Sequence, residues 1–170
     1  SSDLFKKAMN YSSKIIILTP GWGEFWGNIV NKNKLVVIPN AAELHNINRK
    51  DYNYDNKLNL LFLGFIGDRK GTYDLVRAVK VIIDEYKINN VSLKIAGNGE
   101  EDKCKKYVKK LKLENNIDVI GWANKNRKRE LLRHADILIL PSHFESFGIV
   151  VLEALRSEEH TSELQSQGDI

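Results

Sequence analysis

The chain has 170 residues, 42% of them hydrophobic and 28% charged, and it carries a formal net charge of +4. These values are ordinary for one globular domain with a sizeable core, and no apolar run approaches the roughly 20 residues of a membrane span. The single cysteine, Cys104, excludes an internal disulfide framework and fits a reducing compartment.

The positive charge narrows the choice of partners. Residues 156–170 contain one arginine and four carboxylates, so residues 1–155 carry a formal charge of +7. This balance suits an anionic ligand or an acidic membrane surface. It does not by itself indicate nucleic acid, because the sequence contains no nucleic-acid-binding motif.

The first third of the chain predicts short elements followed by a linker. Residues 14–19 and 35–38 are short apolar runs typical of buried strands. Residues 43–57 are polar and rich in asparagine, as in a linker or domain seam. Helices are predicted over 4–13 and, weakly, over 24–30, with a loop over 20–23 and with Trp22 and Trp26 packed in a core.

From residue 59 onward, strands and helices alternate. Short apolar strands separated by helices predict an α/β fold with a Rossmann-like parallel sheet covered on both faces. Open sheets of this kind bind ligands at the carboxyl ends of their strands. The predicted strands are 59–63, 91–96, 117–120 and 136–140, and the predicted helices are 72–86, 101–113, 127–134 and one after Gly148.

Two glutamates near the end of the chain are its most informative residues. Glu145 lies in a loop before the last helix, and Glu153 lies about two turns inside it. Eight positions advance a helix by roughly 12 Å, so both carboxylates can face one elongated ligand. Between them, the amides of Ser146, Phe147 and Gly148 lie at a helix start, which attracts phosphate. A nucleotide-sugar, with hydroxyls at both ends and a diphosphate between them, fits this pattern.

The segment 143–155 resembles the E-x7-E signature of retaining GT-B glycosyltransferases, most closely family 4, the glycosyl transferases group 1. The resemblance implies that residues 35–155 are the C-terminal, nucleotide-sugar-binding half of a GT-B fold, truncated before its last strands. Residues 1–34 would be a remnant of the N-terminal, acceptor-binding half. The stretch 37–40 resembles the family's crossing between the halves, although Ala41 replaces the usual glycine.

The loop over residues 64–71 resembles the phosphate loop of the same family. Gly64 and Gly71 let the backbone approach a ligand closely, and Lys70 is a compact cation suited to a diphosphate. Phe65 stands where the family commonly has an arginine. Arg69 either compensates for that difference or belongs to a solvated helix start, and both readings remain open.

The resemblance also implies a role for each candidate residue. Lys70 would stabilise charge on the departing diphosphate, Glu145 would contact the transferred sugar, and Glu153 would accept the ribose hydroxyls. Trp122 would either stack on the donor or pack. Further donor contacts are expected from Gly64, Arg69, Gly71, Gly121, Trp122, Ser146, Phe147 and Gly148, and neither a cofactor nor a metal is expected.

The expected function is transfer of a sugar from a nucleotide-diphosphate sugar, with retention, to a sugar or lipid-linked acceptor. The expected setting is bacterial cell-surface polysaccharide or glycolipid synthesis, in the cytoplasm or peripheral to the inner face of the membrane. No nucleic acid partner is expected. The basic helix over 101–113 is an ordinary amphipathic surface helix, or else a contact with an anionic membrane.

Two other functions remain open. One is another GT-B enzyme, such as a sugar-nucleotide epimerase or a phosphorylase-like protein. The other is a non-catalytic nucleotide-sugar-binding module, which the replacement of arginine by Phe65 favours.

The last fifteen residues differ in character from the rest. Residues 156–170 resemble a translated sequencing-library adapter, so we interpret them as a non-native tail. The chain also begins without a methionine, and we expect it to be a fragment of a larger protein.

Overall fold

A computed structural model describes residues 2–40, 57–145 and 148–155. These residues fall into two compact units, one from residues 2–40 with 148–149 and the other from residues 57–145 with 150–155. The expectations for the linker over 43–56, for Ser146 and Phe147, and for the tail over 156–170 lie outside the described residues.

The first unit contains two helices and a small parallel sheet. Helix α1 spans Ser2–Tyr11, strand β1 Ile15–Ile17, helix α2 Pro20–Gly27 and strand β2 Leu35–Val37, and β1 pairs with β2. The loop predicted over 20–23 is wrong, because Pro20 occupies the first turn of α2, where its fixed φ favours a helix. Trp22 and Trp26 stack with ring centroids 6.5 Å apart, in an aromatic cluster that includes Phe25.

The second unit is built on a parallel sheet of four strands in the order β5-β4-β3-β6. Strand β6 is shorter than its predicted range, but the amides of Asp136 and Ile139 extend the pairing by donating to β3 carbonyls. The parallel α/β fold predicted from the sequence is confirmed. The strands are β3 Leu58–Leu63, β4 Val91–Ala96, β5 Ile117–Gly121 and β6 Ile137–Leu138.

Helices cover both faces of this sheet. Leu60 and Phe62 of β3 face one hydrophobic cluster, and Leu61 and Leu63 face another, because side chains alternate along a strand. Helices α3 (Thr72–Asp84) and α4 (Glu101–Lys110) pack on the first face. Helices α5 (Lys125–His134) and α6 (Ile149–Leu155) contribute to the cluster on the second face.

Helix α4 shows how one amphipathic helix serves the core. Cys104 and Val108 are buried, whereas Lys106, Lys109 and Lys110 are exposed. Burial raises the pKa of the Cys104 thiol to about 11, so this cysteine is a packing residue rather than a nucleophile at neutral pH.

Among the helices of the described ranges, none combines the length and apolar character needed to cross a bilayer. Within the same ranges, no three His, Cys, Asp or Glu side chains are grouped so that they could hold a metal ion.

Candidate functional site

The order of the strands indicates where on the sheet a ligand is expected to bind. From β3 the chain passes through α3 to β4 and through α4 to β5, and it returns through α5 to β6 on the other side of β3. Open α/β sheets bind ligands outside the carboxyl ends of the strands where the connections change direction. That point lies between β3 and β6, so the loops that follow these two strands form the candidate site.

A lysine and a glutamate from these two loops meet there. The Nζ atom of Lys70 lies 2.5 Å from an Oε atom of Glu145, although the two residues are 75 positions apart. The Lys70 side chain is 15% exposed and that of Glu145 is 34% exposed. The structure thus brings together the two residues predicted to be catalytic and leaves the carboxylate accessible from solvent.

The backbone between Gly67 and Thr72 fixes the position of Lys70. Residues Asp68–Lys70 form a short 3-10 turn, in which the Lys70 amide donates to the Gly67 carbonyl at 3.2 Å. The Gly67 amide in turn donates to the hydroxyl of the fully buried Thr72 at 3.1 Å. Both polar groups of Gly67 are therefore engaged, and the loop has a defined shape.

Gly71 brings this loop into close contact with the segment that follows β6. Its φ of 67° lies in the left-handed region, and an added Cβ would lie 2.0 Å from the carbonyl oxygen of Pro141. No other residue can combine this backbone angle with such a close approach. The glycine has a structural reason to be here, and its contact with a donor stays a prediction.

The loop after β4 braces the loop after β3. The amide of Ile66 donates to the Asn98 carbonyl at 2.7 Å, and the amide of Glu100 donates to the Ile66 carbonyl at 2.9 Å. The Tyr73 hydroxyl donates to the Glu100 carboxylate at 2.7 Å. Burial, reinforced by that carboxylate, raises the pKa of Tyr73, so the phenol remains a hydrogen-bond donor at neutral pH.

Two aromatic side chains are exposed after β3 and β5. Phe65 is 47% exposed, and Trp122 is 72% exposed. Trp122 follows Gly121, whose φ is 79° and whose added Cβ would lie 2.4 Å from the Glu101 carboxylate. Its exposure favours the stacking alternative over packing, while its contact with a donor stays a prediction.

Glu153 lies only a little over one turn inside α6, because the helix begins at Ile149 rather than near Glu145, so the predicted two turns are wrong. A lysine that is not among the predicted site residues holds it. The Nζ atom of Lys128, in α5, lies 2.6 Å from Oε1 of Glu153. Their side chains are 33% and 20% exposed, respectively. Val150 and Ala154, three residues before Glu153 and one after it, pack against the second hydrophobic cluster, so Glu153 lies at the border of the buried side of α6.

The remaining candidates lie around these pairs. Arg69 is exposed, and its carbonyl accepts the amide of His143 at 3.1 Å. The imidazole of His143 contacts Asp74 at 2.7 Å. Gly64 follows β3 directly, and Gly148 directly precedes α6. The donor contacts of all these residues stay predictions.

Comparisons with known proteins show which sequences and structures this chain is similar to. The family model described as "Glycosyl transferases group 1" matches residues 45–158. An uncharacterized glycosyltransferase of Methanocaldococcus jannaschii is 32% identical over 102 residues, which cover 59% of this chain and 25% of the relative. The 2-deoxystreptamine N-acetyl-D-glucosaminyltransferase of Niallia circulans is 31% identical over 99 residues, which cover 58% of this chain and 25% of the relative.

The same fold occurs in a solved structure. The Anabaena protein HepE, crystallised in complex with UDP-glucose, has a TM-score of 0.70 at 18% identity, over 86% of this chain and 43% of that one. The chain spans about a quarter of the length of the two curated relatives.

Proposed function

The chain belongs to the glycosyl transferases group 1 family, and from that premise we propose that its protein transfers a sugar from a nucleotide-diphosphate sugar to an acceptor, with retention of configuration. Residues 35–155 would supply the donor-binding domain and residues 1–34 part of the acceptor-binding domain. The observation that carries the proposal is the Lys70–Glu145 pair. It lies between β3 and β6, where the connections between the strands change direction. It offers a cation for the diphosphate beside a carboxylate for sugar hydroxyls.

Lys70 would act on the leaving group. As the bond between the sugar and the diphosphate breaks, negative charge grows on the phosphate oxygens, and a fixed ammonium group stabilises that charge. The 3-10 turn and the hydrogen bonds of Gly67 hold Lys70 in place before the reaction begins. The charge stabilisation then needs no rearrangement of this loop.

Glu145 would act on the transferred sugar. A diphosphate that reaches Lys70 competes with Glu145 for the ammonium group, because both are anions at one cation. Once displaced, the Glu145 carboxylate can accept hydrogen bonds from the hydroxyls of the sugar attached to that diphosphate. When the diphosphate replaces Glu145 at Lys70, the lysine contacts the leaving group and the glutamate contacts the transferred sugar.

The other donor contacts extend from this centre. Glu153 would accept the ribose hydroxyls, and the exposed indole of Trp122 offers a face on which a base or sugar could stack. The UDP-glucose bound by HepE makes uridine nucleotides the first donors to test. Gly64, Arg69, Gly71 and Gly121 would also contact the donor, and the family resemblance implies the same role for Ser146, Phe147 and Gly148.

The proposal also includes the class of acceptor and the place in the cell where the enzyme acts. We propose a sugar or lipid-linked acceptor used in bacterial cell-surface polysaccharide or glycolipid synthesis. The enzyme would work in the cytoplasm, peripheral to the inner face of the membrane. The exposed lysines of α4 support such a surface contact, because clustered lysines attract anionic headgroups.

A non-catalytic nucleotide-sugar-binding module is the second candidate. It is favoured by Phe65, which replaces an arginine expected from the family resemblance and presents an exposed ring within the loop over residues 64–71. Turnover of UDP-glucose by an enzyme that carries this segment separates the two functions. Hydrolysis or transfer supports the glycosyltransferase, whereas tight binding without either supports the module.

The first test measures UDP binding to this chain by calorimetry. Lys70→Met should weaken binding about 10- to 150-fold, which corresponds to the loss of one charge-assisted hydrogen bond. Lys80→Met is the matched control, since Lys80 lies in α3 and pairs with Asp84 within the same helix. Equal affinities of the Lys70 variant and the unchanged chain would contradict the proposal.

A further inference from the structure

We propose that Lys128 is a positioning residue for the nucleoside end of the donor, acting through Glu153. The inference rests on the proposed function, which assigns the ribose hydroxyls to Glu153. It adds a residue that lies in another helix, 25 positions before that glutamate.

The geometry of the pair leaves Glu153 able to bind a ligand. Lys128 contacts Oε1 at 2.6 Å, and the Glu153 side chain is 20% exposed, so the inference assigns Oε2 to accept a hydrogen bond from a ribose hydroxyl. A carboxylate that accepts a hydrogen bond from an ammonium group rotates less freely than an unpaired one, so its second oxygen samples fewer directions. Such preorganisation lowers the cost of ordering the side chain when a ligand binds.

The local fold explains why Lys128 reaches Glu153. Helix α5 begins with a cap in which the Asn124 side chain accepts the Arg127 amide at 2.9 Å. Leu131 and Leu132 are the buried residues of this helix, three and four positions after Lys128. Residues at these spacings share one side of a helix, so Lys128 lies above the buried stripe and beside the sheet face that α6 also covers.

Stability alone gives little reason for this pair. Taking a lysine and a glutamate partly out of water costs about as much as their attraction returns, and an apolar pair at the same place is often at least as stable. An ion pair that sits at the border of a hydrophobic cluster, and includes a residue assigned to the donor, is better explained by ligand binding.

The chain offers a matched control one residue away. Arg127 is also a cation of α5 and also pairs with a glutamate, Glu130, at 3.1 Å. Both of those side chains are about half exposed and belong to the same helix. Arg127→Met therefore removes one positive charge and one ion pair from α5 without touching Glu153.

The experiment compares three probes on the intact chain: UDP, uridine and inorganic pyrophosphate. Calorimetry measures UDP and pyrophosphate, and NMR titration measures the weaker uridine. Lys128→Met should weaken UDP and uridine by the same factor, about tenfold, and leave pyrophosphate unchanged. Lys128→Arg should restore binding to within about twofold, because it keeps the donor on the same helix position.

Thermal unfolding checks that each variant is folded, and a double variant tests whether Lys128 acts through Glu153. Lys128→Met combined with Glu153→Gln should bind uridine no more weakly than Glu153→Gln alone, because the lysine acts through the glutamate. Lys128→Gln replaces the methionine variant if the latter does not fold, and Arg127→Met should match the unchanged chain with all three probes.

Each remaining outcome has a definite meaning. If Glu153→Gln weakens uridine while Lys128→Met does not, the role of Lys128 is wrong and the proposed function stands. If Lys128→Met weakens pyrophosphate as much as uridine, the lysine does not act through the nucleoside end and the inference is overturned. If none of the variants at positions 70, 128 and 153 changes binding of any probe, the proposed function itself fails.

Discussion

Each glutamate of the pair at positions 145 and 153 is held by a lysine from a distant part of the chain. Glu145 pairs with Lys70 and Glu153 with Lys128, at 2.5 and 2.6 Å. The two pairs differ in what a donor would do to them. Under the proposed function, a diphosphate would compete directly for Lys70, whereas a ribose hydroxyl would bind Glu153 without displacing Lys128.

This difference predicts separate effects for two conservative substitutions. Glu145→Gln should leave affinity for free UDP equal or higher, because it removes the anion that competes for Lys70. It should lower the extra affinity for UDP-glucose and mainly reduce turnover, since its contact involves the reacting sugar. Glu153→Gln should weaken UDP and UDP-glucose alike, by about tenfold.

Calorimetry with both ligands on this chain measures the binding effects, and turnover is measured in an enzyme that carries the segment. A loss of UDP affinity in Glu145→Gln as large as that in Glu153→Gln would reverse the assignment of the two ends.

The sequence predicted some of these contacts and missed others for physical reasons. Lys70 and Glu145 follow strands of one parallel sheet, and residues after such strands gather at one edge, so a shared site could be expected. Lys128 lies in a helix with three other cations within four residues. Which of them meets Glu153 depends on the rotation of α5 and its distance from α6, and periodicity alone fixes neither.

At the scale of elements, the loop over 64–71 depends more on Gly71 than on Gly64. Gly71 combines a left-handed φ with close approach to the Pro141 carbonyl, whereas an added Cβ at Gly64 would lie 3.5 Å from the Phe62 ring, an ordinary contact. The sequence predicts that both glycines contact the ligand. Of these two, only Gly71 is required by the structure, where its φ and its close approach to Pro141 place the loop against the segment that follows β6.

Two alanine substitutions test this distinction. Gly71→Ala should lower the free energy of unfolding by at least about 1–2 kcal/mol, the cost of a left-handed conformation, before any cost of moving Pro141. Gly64→Ala should change it by less than about 1 kcal/mol. Urea unfolding followed by circular dichroism measures both. Similar losses in the two variants would show that the contact with Pro141 is not what the loop requires.

The predicted ends of strands and helices agree with the structure at some positions and differ from it at others. The bounds of β4 agree with the predicted strand because its apolar run is short and stopped by Gly97. Helices α3 and α4 end two and three residues earlier than predicted. The chain turns back at Lys87 and Lys112, which adopt positive φ values of 58° and 56°. Glycine is the usual residue at such a turn, so two lysines gave no signal of it.

At the scale of the molecule, the sheet order decides where the site lies. Alternating strands and helices predicted a parallel sheet covered on both faces, and the structure confirms it. The same alternation is compatible with several strand orders. Only the placement of β6 beside β3, through the pairs of Leu60 with Ile137 and Leu61 with Leu138, brings the Glu145 loop next to Lys70.

The same topology gives α4 a position suited to a second surface. The helix follows β4, so it begins near the carboxyl edge of the sheet and runs back toward the opposite edge over roughly 15 Å. Lys103 and Lys105, near its beginning, pair with Glu100 and Glu101. Lys106, Lys109 and Lys110 are exposed closer to its end, away from the candidate donor site.

The proposed membrane contact can therefore be tested without disturbing donor binding. The chain should bind vesicles containing phosphatidylglycerol, and this binding should be lost in 0.5 M salt, because a Debye length of roughly 4 Å screens exposed charges. The triple variant Lys106→Glu, Lys109→Glu and Lys110→Glu should reduce partitioning at least about 100-fold, since each lysine contributes about 1 kcal/mol near an anionic surface. Its UDP affinity should stay unchanged, which calorimetry checks.

Unreduced vesicle binding in a sedimentation assay would exclude α4 as the contact surface, and neutral phosphatidylcholine vesicles serve as the control for nonelectrostatic adsorption.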